Sequence, residues 1–185
     1  MYISPISMDT IYPVKKECQS RQLAIFCSSK CPGGLIIDAV DFCRSLVASS
    51  VTVISGFHSP VEKQCLRILI RSKQPVIWCL ARGKMSTIPA PFREALAAGR
   101  LQILAPFSAK IRRQTASTCA RRNRIVADMA DAVLIIHAAA GSKVEALSRE
   151  ALAAGKRLYA FDHPANADLI TAGANPIRSL RDMRL

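Results

Sequence analysis

Acid is what this chain has least of. Its 185 residues carry 26 Lys and Arg against 13 Asp and Glu, a formal charge of +13. The deficit is also local. No Asp or Glu stands between Glu94 and Asp128, an interval that holds Arg100, Lys110, Arg112, Arg113, Arg121, Arg122 and Arg124. Charge runs usually mark a solvated face, but a long interval of one sign points instead to an anionic partner: nucleic acid, nucleotide phosphate or an acidic protein. Long apolar runs are missing too. Stretches such as AVLIIHAAA are strand-sized, so no membrane-spanning helix is expected. The opening MYISPISMDTIYPVKKECQS has no basic segment followed by an apolar one, which excludes a secretory signal there.

Two phosphate signatures are absent, GxGxxG and GxxxxGK[ST]. Neither a standard dinucleotide site nor a Walker loop is present, and no cofactor is expected. The seven cysteines (Cys18, Cys27, Cys31, Cys43, Cys65, Cys79 and Cys119) are odd in number, and several sit in apolar runs such as VIWCL. That suits reduced thiols in a cytoplasmic protein better than a disulfide framework. Cys27 and Cys31 lie four apart, but no second Cys/His pair has zinc-ligand spacing, so no metal site is expected. Aromatics make up only 5%. Phe26, Phe57, Phe92 and Phe107 are the ones read as loop or strand-end positions. Stacking platforms for bases usually want more, so the expected mode is capture of phosphates by Arg, Lys and helix N-termini.

What the chain does have is alternation. Apolar runs at 23–27, 51–55, 75–80, 101–105, 132–136 and 157–161 are separated by helical patterns at about 34–47, 60–71, 91–98, 114–129 and 143–154, with a short one near 167–172. The strand-like runs are continuously apolar, as expected for strands buried on both faces. The prediction is one doubly wound α/β domain, mainly a parallel sheet with helices on both faces, over residues 21–177. Residues 1–20 read as an extension. Residues 178–185 read as a basic tail, with Arg178, Arg181 and Arg184 forming a helical stripe. The heptapeptide REALAAG occurs at 93–99 and 149–155, each time as a helix end with Gly beyond it. The positions Ile37, Val40, Cys43 and Val47 form an apolar helix face expected to pack on its own sheet.

In such a sheet, ligands sit beyond the carboxyl ends of the strands, where helix N-termini present free N–H groups. Three turns qualify. CSSKCPGG offers Ser28, Ser29 and Lys30, and reads equally well as a plain Pro-Gly-Gly turn. SGFHSPVEK places Gly56 and His58 before a helix whose start, Ser59–Pro60–Glu62, is a capping box with proline in its preferred place. AAAGSKVEA offers Gly141, Ser142 and Lys143, with Ser142 and Glu145 as a second capping box. A box fills only part of a helix start, which has about four open N–H groups. Before this last turn lies RRNR. On a helix Arg121 and Arg124 share a face and Arg122 lies about 100° away, with Asp128 in reach of Arg124. Arg122 and Asn123 are left for phosphate and for a ribose or base edge.

At these residues the sequence resembles a known family. RRNRIVADMADAVLIIHAAAGSKVEALSREALAAGKRLYAF resembles the core of DNA-processing protein A (DprA, also called Smf), with its RNR helix, apolar strand and Gly-Ser turn. IFCSSK resembles that family's first-strand GSR turn, and VISGFHSPVEK its SGxARGID turn. The likeness runs from Arg21 to Ile177. It implies a Rossmann-like domain that binds single-stranded DNA, forms a homodimer and has a recombinase partner during natural transformation. By position, Lys30 (or Ser29, one residue away) replaces the first-turn Arg. Arg122, Asn123 and Arg124 match RNR, and Ser142 matches the Gly-Ser turn. Ser59 stands where the family has Arg, and Glu62 where it has Asp.

The same segment resembles a sister family, the lonely-guy (LOG) nucleotide phosphoribohydrolases. Arg122, Asp131, Ala132, Gly141, Ser142 and Glu145 fall at matching spacing. That likeness implies an alternative in which Arg122 and Glu145 are catalytic, cleaving the N-glycosidic bond of a nucleoside 5'-monophosphate, or in which the pocket senses nucleotides. Asn123 replaces that family's Lys, and His137-Ala138-Ala139 replaces its Pro-Gly-Gly, removing glycines that favour close backbone approach to phosphate.

Overall fold

The computed structural model describes residues 21–47 and 49–184. Cys18 and the whole 1–20 extension lie outside them. The chain alternates β1 (Arg21–Cys27), α1 (Gly33–Ser45), β2 (Val51–Ser55), α2 (Pro60–Arg71), β3 (Val76–Cys79), α3 (Ala90–Ala97), β4 (Leu101–Leu104), α4 (Ala116–Met129), β5 (Ala132–His137), α5 (Lys143–Ala153), β6 (Arg157–Phe161), α6 (Ala167–Thr171) and β7 (Asn175–Ile177). All strand pairs are parallel, in the order β4-β3-β2-β1-β5-β6-β7. The doubly wound Rossmann-like architecture is therefore as expected.

The central strands are apolar on both faces because both faces are covered. One side packs Leu23, Ile25, Val53 and Leu134 against Leu35, Phe42, Leu66 and Leu69 of α1 and α2. The other packs Ala24, Phe26, Ile54 and Val133 against Val126, Leu147 and Ala151 of α4 and α5. A fully buried side chain of this size contributes roughly 1.5–3 kcal/mol. Both REALAAG segments end as expected, with Gly99 and Gly155 at φ 71° and 73°, the left-handed conformation that stops a helix.

Three local expectations are corrected. The buried face of α1 is Leu35, Ala39, Phe42 and Cys43, continued by Leu46. Of the face read from sequence only Cys43 is fully buried, Val40 is half-buried, and Ile37 and Val47 are exposed, because the helix is rotated to dock Phe42 on Phe161. The tail forms one short 3-10 turn at Leu180–Asp182 rather than a helical stripe. The Asp182 carboxylate accepts from the backbone N–H of Arg178 and Ser179, and Arg178 is drawn onto Asp162 at 2.8 Å. Third, β7 completes the sheet at one edge, where the sequence suggested no strand.

Candidate functional site

The order of strands reverses between β1 and β5. The segments leaving them diverge to opposite faces and open a crevice at their carboxyl ends, the usual ligand position in open parallel sheets. Here it is a cleft of about 510 Å³. The N-caps of three helices line it: Ser59 of α2, Thr115 of α4 and Ser142 of α5. Helix N-termini carry partial positive charge and open donors, so their convergence favours an anion.

Its walls are held by short polar ties. Ser28 Oγ donates to Ser142 Oγ at 3.1 Å and accepts from the Ala139 N–H at 3.0 Å, joining the turn after β1 to the turn after β5. Glu62 is buried beneath. Its Oε1 accepts from the Cys27 N–H at 2.9 Å, and its Oε2 from the His58 and Ser59 N–H groups at 2.7 and 3.4 Å. Burial pushes the Glu62 carboxyl above the ordinary carboxylate range, opposed by those N–H bonds and by the charge of Arg122. The carboxylate that reads as a helix cap in sequence thus also ties β1 to the loop of the second turn.

Arg122 is the centre of the site. It is 3% exposed, and a Cβ built on Gly56 would sit on its guanidinium. Nε donates to Asn123 Oδ1 at 2.8 Å and Nη1 to the Cys79 carbonyl at 3.1 Å. No carboxylate among the described residues lies within ion-pair distance of it. Nη2 has no hydrogen-bond partner among the described residues, yet it is not sealed from solvent. Buried charges are normally paired, and this one has no ion-pair partner among the described residues. One wall separates the first cleft from a second of about 480 Å³, and Arg122, His58 and Gln114 line both. Burial, then Arg122 and Lys63, lower the pKa of His58.

The other expected site residues divide. Ser29, Asn123 and Lys143 line the first cleft with Ser28, Ser59 and Ser142, and Gly56 lines the second. Lys30 is exposed in the turn and lines neither. Arg121 lies over the Phe107 ring at 5.6 Å. Arg124 leaves Asp128 aside and forms a two-pronged pair with Glu150 of α5, at 2.7 and 2.8 Å. Gly141 turns at φ 70°. Its N–H donates to Glu145 Oε2 at 2.6 Å, and Arg149 holds Oε1 at 2.7 Å. Glu145 is thereby directed into a small hollow beside Ala138 and Ser148, away from the Arg122 cleft, and its capping box with Ser142 is half-formed. These contacts, Arg149 first, hold its carboxyl below the usual range.

The aromatic expectation changes most. Phe26, Phe57 and Phe107 are buried, at 1, 2 and 8% exposure, and cannot stack on a ligand without unfolding. Trp78, which reads as a core strand residue, is half-buried and lines the second cleft. Among the described residues no group of three or more His, Cys, Asp or Glu is placed to hold a metal, and no helix is long and apolar enough to cross a membrane.

Comparison with known proteins identifies relatives of this arrangement. A family model described as DNA recombination-mediator protein A matches residues 13–184. DNA processing protein A from Streptococcus pneumoniae superposes with a TM-score of 0.74 at 16% identity, over 88% of this chain and 60% of that one. The DNA processing protein A of Helicobacter pylori, described for its single-stranded DNA binding mode, superposes at 0.72 and 16%, over 88% and 78%. A molybdenum cofactor binding protein from Rippkaea orientalis superposes at 0.64 and 10%, over 89% and 93%. At these identities the structural likeness is one of fold, and the chain spans about 60% of the S. pneumoniae protein's length. No curated protein matches the sequence.

Proposed function

Because the chain belongs to the DNA recombination-mediator protein A family, we propose that it binds single-stranded DNA, seating a backbone phosphate in the first cleft against Arg122 and the N-termini of α2, α4 and α5. The observation that carries this is the buried Arg122 guanidinium with no carboxylate within ion-pair distance among the described residues. A phosphate supplies the missing charge, and Arg122 Nη2 is left to donate to it. Ser29 and Lys143 supply further donors at the rim. The net charge of +13 attracts a polyanion over a longer range.

The phosphoribohydrolase alternative has less support. Glu145, the acid it needs, is tied to Gly141 and Arg149 outside the cleft. The other acid at the cleft, Glu62, has both oxygens engaged by backbone N–H groups.

The deciding measurement is a titration with labelled oligo-dT and with AMP over a range of salt, repeated with Arg122→Ala. Oligo-dT should bind, and its affinity should fall with salt by roughly 0.7 in log–log slope for each phosphate neutralised. Arg122→Ala should weaken binding and make that slope shallower by about one such step. Absence of oligo-dT binding at low salt refutes the proposal. Tight AMP binding with release of ribose 5-phosphate would transfer the site to nucleotide hydrolysis.

A further inference from the structure

The second cleft has a chemistry of its own. Lys63, Arg82, Arg112 and Arg113 surround it, and no Asp or Glu lines it. None of those four charged heads makes a hydrogen bond or ion pair with a described residue. Like charges gathered without counterions repel one another, and an arriving anion relieves that repulsion. The cleft is not only charged. Its wall includes Leu80, Met85 and the half-buried Trp78.

Trp78 is held in place from two directions. Its indole N–H donates to the Gly56 carbonyl at 3.2 Å, and Phe92 meets it edge to face with centroids 5.4 Å apart. A rigid ring of this kind stacks with little loss of side-chain freedom. A bare anion has no use for an aromatic and thioether wall, whereas a nucleotide has a flat apolar face and a charge together.

We propose that the second cleft is a base-stacking subsite, in which a base lies on Trp78 while the strand phosphates beside it meet Arg82, Arg112 and Arg113. This rests on the reading of the first cleft as a single-stranded DNA site. Arg122 and His58 form a wall common to both clefts, so a strand seated in the first is delivered to the second.

Trp78 is the sole tryptophan in the sequence, so its emission reports on this cleft alone. The full chain is titrated with labelled oligo-dT and with an abasic deoxyribose-phosphate oligomer of the same length, recording anisotropy and tryptophan emission together. Both oligomers should bind through phosphate, only oligo-dT should quench Trp78, and oligo-dT should bind about tenfold tighter or more. Trp78→Leu should erase that tenfold difference, and Trp78→Phe, which keeps a stacking ring and the packing on Phe92, should retain most of it. Equal quenching by both oligomers, or oligo-dT binding that saturates without a change in emission, overturns stacking while leaving the phosphate site intact. If neither oligomer binds, the strand reading of the first cleft fails, and the subsite fails with it.

Discussion

Gly56→Ala is the sharpest test of the site. A methyl group at this position would lie 1.4 Å from Arg122 Nη1 and 1.7 Å from Cζ, so the two cannot coexist. Gly56 is not among the glycines with left-handed backbone, so alanine suits its conformation and the perturbation is purely steric. The guanidinium must leave, losing its bonds to the Cys79 carbonyl and to Asn123. Hydrogen bonds to a charged group contribute about 1.5–3 kcal/mol each. Hydration of the displaced head returns part of that, leaving an expected loss of about 2–4 kcal/mol. In an Arg122→Ala background that clash is gone, so Gly56→Ala should then cost no more than about 0.5 kcal/mol, and the double variant should bind DNA no worse than Arg122→Ala alone. Urea unfolding of the four proteins gives the stability cycle, and oligo-dT anisotropy gives the binding cycle. If Gly56→Ala costs the same in both backgrounds, or keeps full affinity for DNA, then the placement of Arg122 against Gly56 is wrong.

Two further outcomes follow from the same geometry. Arg124→Gln should lower stability by less than about 1 kcal/mol, since its pair with Glu150 is largely exposed. It should leave the salt slope of DNA binding unchanged, in contrast to Arg122→Ala; a shallower slope would place Arg124 on the DNA. His58 should give binding a pH dependence. Its folded pKa lies below the ordinary value because of burial, Arg122 and Lys63. Between the two values the unfolded chain holds a proton that the folded chain lacks, so His58 makes stability fall as pH drops below about 6.5. A phosphate strand in the clefts offsets the field of Arg122 and Lys63, raising that pKa and drawing in a proton. Affinity for oligo-dT should therefore rise as pH falls through this window, and His58→Gln should flatten the profile. An unchanged profile in His58→Gln would remove the histidine from the site.

The sequence carried the sheet, the helices and the position of the crevice because these depend on short-range patterns. Runs such as AVLII are buried on both faces wherever helices flank them, and Ser59–Pro60–Glu62 fixes a helix start locally. It carried less about which residues of a basic cluster turn inward. Helical spacing gives the angle between Arg121, Arg122 and Arg124, but not which of them faces the sheet. That depends on the missing side chain of Gly56, far away in the chain, and on Glu150, which draws Arg124 to α5. Trp78 lies within the continuously apolar run 75–80, yet it is half-buried and lines the second cleft. The half-formed box at Ser142 has a simpler cause: the left-handed Gly141 offers its own N–H to Glu145.

The strand order also has a consequence in time. The chain lays down β1 and then β2, β3 and β4 outward on one side before it returns to pair β5 with the other edge of β1. Joining Leu23 to Ala132 closes a loop that holds more than half the protein. The entropy of that closure is about 4 kcal/mol from the logarithmic dependence on loop length, and such distant parallel pairings form slowly. Until they form, Ser28 has no Ser142 to meet and the N-terminus of α5 is elsewhere. The first half of the domain can thus assemble its sheet before the first cleft exists. The helix N-termini around the first cleft are brought together only when β5 docks on β1.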